Sequence, residues 1–358
     1  MVRAFSDPER DEPEYGEGSG KLALESLNQN IGQFVPDMLF EQLVKNFANA
    51  RRILGPRMIH MLTGYQVDTL ERNVRYPEFT EELKKKLEQR VQGLKDNDFI
   101  DEEGVLTEAG IQEASLELLK SLEQKAKGES AKRKGREGDV KTTRQYKKGD
   151  SYKDIDIKAS LRKAIRRQQP ISVEHLHVVQ REAKKGATII FALDASISMK
   201  GEKIGTSKKA GVALAHEAMR NKDKVGAIIF GTNIKKSIPP SLHFDGVLQG
   251  LAEARPSEQT DITKVIKQAV EIFPSSAKKK HLVLLTDALP TIGNPDEVIE
   301  EVVKAARHGI TLTVVGIDLD DAGRQLAEKV AHLGQGRLYA VENIQDIPTL
   351  VLQDYEVL

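Results

Sequence analysis

From Gly186 to the C-terminus, short and almost wholly apolar runs alternate with stretches whose apolar residues recur at helical spacing. Thr188 to Leu193 is the first such run. The pattern after it predicts helices over Ile204–Arg220, Ile262–Phe273, Asp296–Arg307 and Ala322–Leu333, and strands over Val225–Phe230, His281–Thr286, Ile310–Ile317 and Arg337–Val341. Strands that are apolar on both faces and separated by helices predict a mostly parallel sheet with helices on both sides, an α/β, Rossmann-like fold. In such sheets ligands sit beyond the carboxyl ends of the strands, at the topological switch point.

Upstream the period is that of helices alone. Phe40, Leu43, Val44 and Phe47 share one face after a Pro36-Asp37 cap, a second helix starts at Pro56, and a third carries Leu83, Leu87 and Val91. Around Glu103-Gly104 the pattern shortens to a hairpin, and Thr107 is placed to cap a helix bearing Ile111, Ala114, Leu118 and Leu122. This gives a flexible acidic tail over 1–20, a small helical domain with one hairpin over 21–124, a basic linker over 125–143, an extension over 144–185 and the α/β domain over 186–358. The stretch from Lys125 to Gln168 holds 16 Lys or Arg against six Asp or Glu. Its first half reads as a solvated linker. In its second half Ile157, Leu161, Ala164 and Ile165 form an amphipathic stripe opposite Arg162, Lys163, Arg166 and Arg167.

The 358 residues carry 54 Lys plus Arg and 54 Asp plus Glu, so no global field draws the chain to nucleic acid or an anionic membrane. The absence of cysteine excludes disulfides, thiolate nucleophiles, iron-sulfur clusters and Cys-based zinc sites. The apolar runs are too short to span a bilayer and the acidic N-terminus does not look like a signal peptide, so the expectation is a cytoplasmic protein without a membrane segment.

The candidate chemistry lies at the ends of the strands. Asp194 closes the first apolar run, with Ser196 and Ser198 in the loop that follows. Thr260 precedes Asp261 at a helix start, and Asp287 directly follows the strand ending at Thr286. Three loops thus deliver carboxylate and hydroxyl oxygens to one rim, a donor set suited to Mg²⁺ or Mn²⁺. Because three of the five donors are neutral, an ion held there keeps much of its charge and attracts an acidic group from a partner.

These residues resemble the von Willebrand factor A domains, whose metal-ion-dependent adhesion site has the pattern Asp-x-Ser-x-Ser, then Thr, then Asp after a later strand. Asp194, Ser196, Ser198, Thr260 and Asp287 match it in order, and Met199 and Gly201 match the usual sequel. The resemblance implies that all five are metal ligands, partly through water for the two carboxylates. A second resemblance is upstream: Arg144-x-Tyr146-x-x-Gly149-Asp150, Ile155-Asp156 and Leu161-Arg162 look like the segment that precedes this fold in proteins encoded beside MoxR-type AAA+ ATPases. Relatives of that kind often carry a Trp where this chain has Ile157, and many have membrane segments. The resemblance implies an extension packed on the sheet domain and a MoxR-type AAA+ partner, with this chain as a chaperone-like adaptor in complex remodelling, maturation or metal insertion. The expectation is a binding protein rather than an enzyme, any ATPase activity residing in the partner. A chelatase-like subunit for cofactor metal insertion and a nucleic-acid-associated protein using the basic linker are the alternatives.

The remaining signals carry less. The Gly201 to Lys208 stretch lacks a contiguous Gly-Lys-Ser/Thr and is not a phosphate loop. His175 and His177 have no clustered third His and read as solvent-facing. Asp318, Asp320 and Asp321 read as a helix cap in a solvated loop. The basic stretch has only Tyr146 and Tyr152 beside it, too few aromatics for a base-stacking platform.

Overall fold

The computed structural model of the protein describes residues 18–129, 140–145, 176–181, 186–257, 259–287 and 294–358. Among the described residues six helices come first: α1 (Ser19–Gln29), α2 (Pro36–Lys45), α3 (Phe47–Thr63), α4 (Val67–Asn73), α5 (Pro77–Asp96) and α6 (Glu108–Glu129). Pro at the first position starts α2 and α5, where its missing N–H costs nothing. Inside α3 Gly55 takes φ 76°, so the helix breaks there and restarts at Pro56, the start expected from the sequence. The apolar faces of α2, α3 and α5 enclose Leu43, Leu54, Met58, Phe79, Leu83 and Leu87 in one core. The expected hairpin is a single antiparallel bridge between Ile100 and Leu106, and Thr107 caps α6 by accepting the Gly110 N–H at 3.1 Å.

The sheet domain follows, with β3 (Ala187–Asp194), α7 (Glu202–Arg220), β4 (Lys224–Phe230), β5 (Ile234–Ser241), α8 (Asp245–Glu253), α9 (Ile262–Ile272), β6 (Lys279–Thr286), α10 (Pro295–Arg307), β7 (Ile310–Ile317), α11 (Asp321–Leu333), β8 (Gln335–Val341) and α12 (Ile347–Glu356). The six strands run in the order β5-β4-β3-β6-β7-β8, all parallel except β5. Alternate residues of β3 explain why the run is apolar throughout. Ile189, Phe191 and Leu193 pack under α7, α8 and α12, while Ile190 and Ala192 pack under α9, α10 and α11. Each such side chain, wholly buried, contributes about 1.5–3 kcal/mol. Leu118 of α6 belongs to the first of these cores, and Leu24 of α1 and Leu119 pack against it.

Several elements, α4 and α8 among them, have no counterpart in the sequence reading, and two of the unexpected ones are instructive. One is β5, whose Pro239-Pro240 argues against a strand by composition but is tolerated because β5 is an edge and pairs antiparallel with β4. The other is α1, placed partly in the expected tail although its Leu22 and Leu27 are fully buried. The basic linker reading also needs correction at both ends. α6 continues to Glu129, and residues 140–143 lie in β1 (Val140–Gln145), which pairs antiparallel with β2 (His177–Arg181) in a separate unit spanning 127–185. Backbone pairing there is indifferent to the Lys and Arg side chains that suggested a solvated segment. The amphipathic stripe from Ile157 to Ile165, His175 and most of the basic stretch lie outside the described residues. Among the described residues no helix is long and apolar enough to cross a membrane.

Candidate metal centre

β3 lies between β4 and β6. The chain leaves β3 for β4 on one side and later returns to β6 on the other, so the switch point falls at the carboxyl end of β3. Asp194 is the last residue of that strand and is 0% exposed. The backbone holds the rim closed around it: the Ala195 N–H donates to Phe230 O at 2.7 Å, the Ser257 N–H to Ala195 O at 2.8 Å and the Asp261 N–H to Gly231 O at 3.0 Å. Lys235 Nζ braces the same loops from below, donating to Ala195 O at 2.6 Å and Ser257 O at 3.0 Å.

The structure brings all five candidate residues together. Asp194 Oδ1 accepts the Ser196 N–H at 2.8 Å, and Asp194 Oδ2 accepts Thr260 Oγ1 at 3.2 Å. Ser196 and Ser198 hydroxyls lie 3.1 Å apart, and Ser198 Oγ donates to Asp287 Oδ1 at 2.7 Å. The Ile197–Met199 turn of 3₁₀ helix sets the two serines on one side, leaving Ile197 57% exposed at the rim. Asp261 caps α9 by accepting the Lys264 N–H at 3.3 Å, which fixes the neighbouring Thr260 where its hydroxyl reaches inward.

Two further residues belong to this cluster. Thr286 Oγ1 donates to Asp194 Oδ2 at 2.5 Å, and Lys203 Nζ joins Asp287 Oδ2 at 3.0 Å to Asp318 Oδ2 at 3.1 Å. Thr286 was hidden because it ends an apolar strand and reads as β-branched filler. Lys203 reads as an ordinary helix residue, since sequence cannot show that one turn of α7 faces Asp287. Asp318, in a loop that is solvated as expected, adds a contact to this network through Lys203, and Asp320 caps α11 by accepting the Gly323 N–H at 2.7 Å.

Electrostatics single out Asp194. Burial pushes its carboxyl above the ordinary range. Hydrogen bonds from Thr286 and Ser196 oppose that shift, and the nearby Asp287 charge adds to it. No ion pair to Asp194 occurs among the described residues, because Lys203 is engaged with Asp287. Lys203 itself is pulled down by burial, but its bonds to Asp287 and Asp318 outweigh this and hold it above the usual lysine value. A buried carboxylate without a counter-cation, ringed by three hydroxyls and a second carboxylate, fits a hard divalent ion by charge and by donor type. Among the described residues no three acids or histidines cluster, so this oxygen site rests on hydroxyls rather than a carboxylate cage.

Residues 188–353, just under half the chain, match the family model of the von Willebrand factor type A domain, and this part of the chain has that Rossmann-like fold. A curated relative, the magnesium-chelatase 67 kDa subunit of Heliobacterium mobile, is 26% identical over 190 residues, covering 48% of this chain and 28% of that protein. The chain therefore spans less than a third of the length of this curated relative. Among solved structures, BatB from Bacteroides thetaiotaomicron is 21% identical with a TM-score of 0.42, over 48% of this chain and 98% of that one. Proximal thread matrix protein 1 from the mussel byssus, solved with a zinc-occupied adhesion motif, is 19% identical with a TM-score of 0.40, over 47% of each chain.

Proposed function

We propose that the protein is a metal-dependent protein-binding adaptor. Asp194, Ser196, Ser198, Thr260 and Asp287 would hold Mg²⁺ or Mn²⁺, and a partner protein would present an Asp or Glu to it. The observation that carries this reading is the buried Asp194 carboxylate, which accepts from the Ser196 N–H and from the Thr260 and Thr286 hydroxyls and pairs with no cation among the described residues. When bound, the ion supplies an electrophilic centre for an incoming carboxylate. The chain's own residues do the rest: Thr286 orients Asp194, Lys203 holds Asp287 through its outer oxygen, and Lys235 fixes the loops beneath them. Among the described residues the rim sets its serine hydroxyls against a carboxylate and not against a histidine base, an arrangement that supports recognition rather than catalysis.

On this reading the energy source is a separate AAA+ ATPase of MoxR type, which the chain serves in complex remodelling, maturation or metal insertion in the cytoplasm. A chelatase-like role in cofactor metal insertion is the second reading, favoured by the similarity to a magnesium-chelatase subunit. Calorimetry with Mg²⁺ and with Mn²⁺ tests the metal step. Asp194→Ala should abolish binding while the fold persists, because the apolar core of β3 is untouched, and unchanged binding in that variant would remove the site. Complex formation with the candidate ATPase should be lost in EDTA and in Ser196→Ala/Ser198→Ala. Binding indifferent to both would exclude the adhesion mechanism, and a magnesium-chelatase ATPase partner that binds where a MoxR-type one does not would decide for the second reading.

A further inference from the structure

The first metal loop does not end freely in solvent. It runs through the 3₁₀ turn Ile197–Met199 and Lys200 into Gly201, and there the helical region takes hold of it. The Gly201 N–H donates to Asn28 O at 3.0 Å, a main-chain bond from the metal loop to the C-terminal end of α1. Gly201 has φ +82°, and a Cβ on it would lie 3.2 Å from Gln29 Nε2. The same glutamine amide would be 2.8 Å from a Cβ on Gly55, the glycine at the break in α3, which has φ +76°. Gln29 is thus wedged between two glycines, one in the α3 break and one in the metal loop, each in a conformation that disfavours any other residue. One turn further along α7, a Cβ on Gly205 would sit 2.9 Å from the Asn28 amide nitrogen, and the Asn28 Oδ1 is buried with no hydrogen-bond partner. Glu202, the first residue of α7, faces Arg57 of α3 at 3.5 Å and accepts from Gln345 Nε2 at 2.7 Å. Leu24 of α1 packs on the sheet domain's own core.

Close backbone contact of this kind is more than a tether needs. A tether would join surfaces by exposed side chains, whereas here two glycines and a buried amide are used to bring α1 against a loop that carries Ser196 and Ser198. The loop between is short and stiff: Met199 N–H bonds Ser196 O at 3.1 Å and Lys200 N–H bonds Ile197 O at 3.2 Å, so a shift at Gly201 is passed to the serine hydroxyls.

We infer that Asn28 and Gln29 are positioning residues for the metal loop, so that divalent-ion binding at the rim and docking of the helical region are thermodynamically coupled. The inference rests on the proposed metal reading. Coupling is reciprocal: an ion that prefers the held loop must also favour the docked α1, and anything that pulls on α1 must weaken the ion.

The test uses the full chain and Mn²⁺ alone. Amide hydrogen exchange across residues 20–29 is measured with and without saturating Mn²⁺ in wild type and in Ser196→Ala/Ser198→Ala. The expected result is a several-fold slowing of exchange in α1 on adding Mn²⁺ to wild type, absent from the double variant. Exchange in α1 that is unchanged by saturating Mn²⁺ overturns the coupling. In parallel, Leu24→Lys/Arg57→Glu places charges at two docking contacts that lie outside the metal loop and outside the core enclosed by α2, α3 and α5. Its Mn²⁺ affinity by calorimetry should fall at least fivefold, whereas the conservative Arg57→Lys in the otherwise unaltered chain should keep wild-type affinity. Wild-type affinity in a double variant whose α1 exchange has risen also overturns it. If wild type itself binds neither Mn²⁺ nor Mg²⁺, the metal reading falls and takes this inference with it, an outcome distinct from normal binding without coupling.

Discussion

Among the described residues, Asp194 at one end of the sheet and Asp354 at the other are both wholly buried carboxylates, and the two are treated in opposite ways. At the carboxyl ends of the strands, Asp194 accepts only from hydroxyls and one N–H, and burial leaves its carboxyl above the ordinary range. Toward the amino ends of β6, β7 and β8, Asp354 of α12 is just as buried, yet it meets His281 Nε2 at 2.6 Å, Arg337 Nη1 at 3.0 Å and Thr313 Oγ1 at 3.0 Å. Burial pulls Asp354 upward, but His281 and Arg337 outweigh it and hold the carboxyl below its usual value. The same functional group is therefore finished with side chains in one place and left open in the other. A completed charge is architecture, and an incomplete one is where an external cation gains most.

The largest expected effect lies at the completed end. Asp354→Ala leaves His281 and Arg337 without their shared acceptor and unfastens α12, which should cost about 3–5 kcal/mol by chemical denaturation. Mn²⁺ affinity at the far rim should not change. The pH dependence has a definite sign. The folded pKa of Asp354 lies below its unfolded value of about 3.8, so its contribution is present above that value and is lost as pH falls through the lower folded one. The gap between wild type and Asp354→Ala should accordingly narrow only below about pH 4. A loss under 1 kcal/mol, or weakened Mn²⁺ binding, would break the contrast between the two ends.

A buried cation gives the intermediate case. Lys208 of α7 is 0% exposed and donates to Ala252 O at 3.0 Å, and burial lowers its pKa to about 7, with Glu25 of α1 opposing and Arg255 reinforcing the shift. The unfolded chain, with a lysine pKa of 10.5, binds more protons than the folded one between pH 7 and 10.5, so stability rises across that window. Below pH 7 the full cost of burying the charge is present. Lys208→Met should stabilise the protein by about 1–3 kcal/mol at pH 7, less than the pKa alone suggests because Ala252 O loses its donor. The gain should fade by about pH 10.5, as followed by melting temperature across the range.

Much of this was legible from the chain because strand ends announce themselves. Asp194 and Asp287 stop apolar runs, and Thr260 stands just before the helix cap Asp261, so their meeting at one rim follows from the alternation of strand and helix. Residues that act across the sheet were not legible. Thr286 looks like strand filler, Lys203 like an ordinary helix residue, and His281 and Asp354 are 73 positions apart with nothing local to link them. The grip of α1 on Gly201 was hidden for a third reason: α1 has no proline or hydroxyl cap, with Gly18 before its first turn, and it begins within the residues that composition assigns to the tail. Local pattern reports what an element buries against its own neighbours, and contacts between distant elements leave no such period.

The smallest effect is the one that most sharpens the comparison. Asp194→Asn keeps an acceptor for the Ser196 N–H and offers amide hydrogens to the hydroxyls of Thr260 and Thr286, both of which can accept as well as donate. It also removes a buried negative charge that no cation among the described residues balances. Without added metal, the variant should therefore match wild type to within about 1 kcal/mol or exceed it, since truncation costs arise from groups left unpaired and here none is. With saturating Mg²⁺ the order should reverse, because wild type gains about 2.7 kcal/mol at a hundred times Kd and the variant gains nothing. Paired denaturation curves in EDTA and in Mg²⁺ read both quantities at once. A metal-free Asp194→Asn that is several kcal/mol less stable than wild type would mean that Asp194, like Asp354, is a completed structural charge, and the distinction between the two ends of the sheet would be lost.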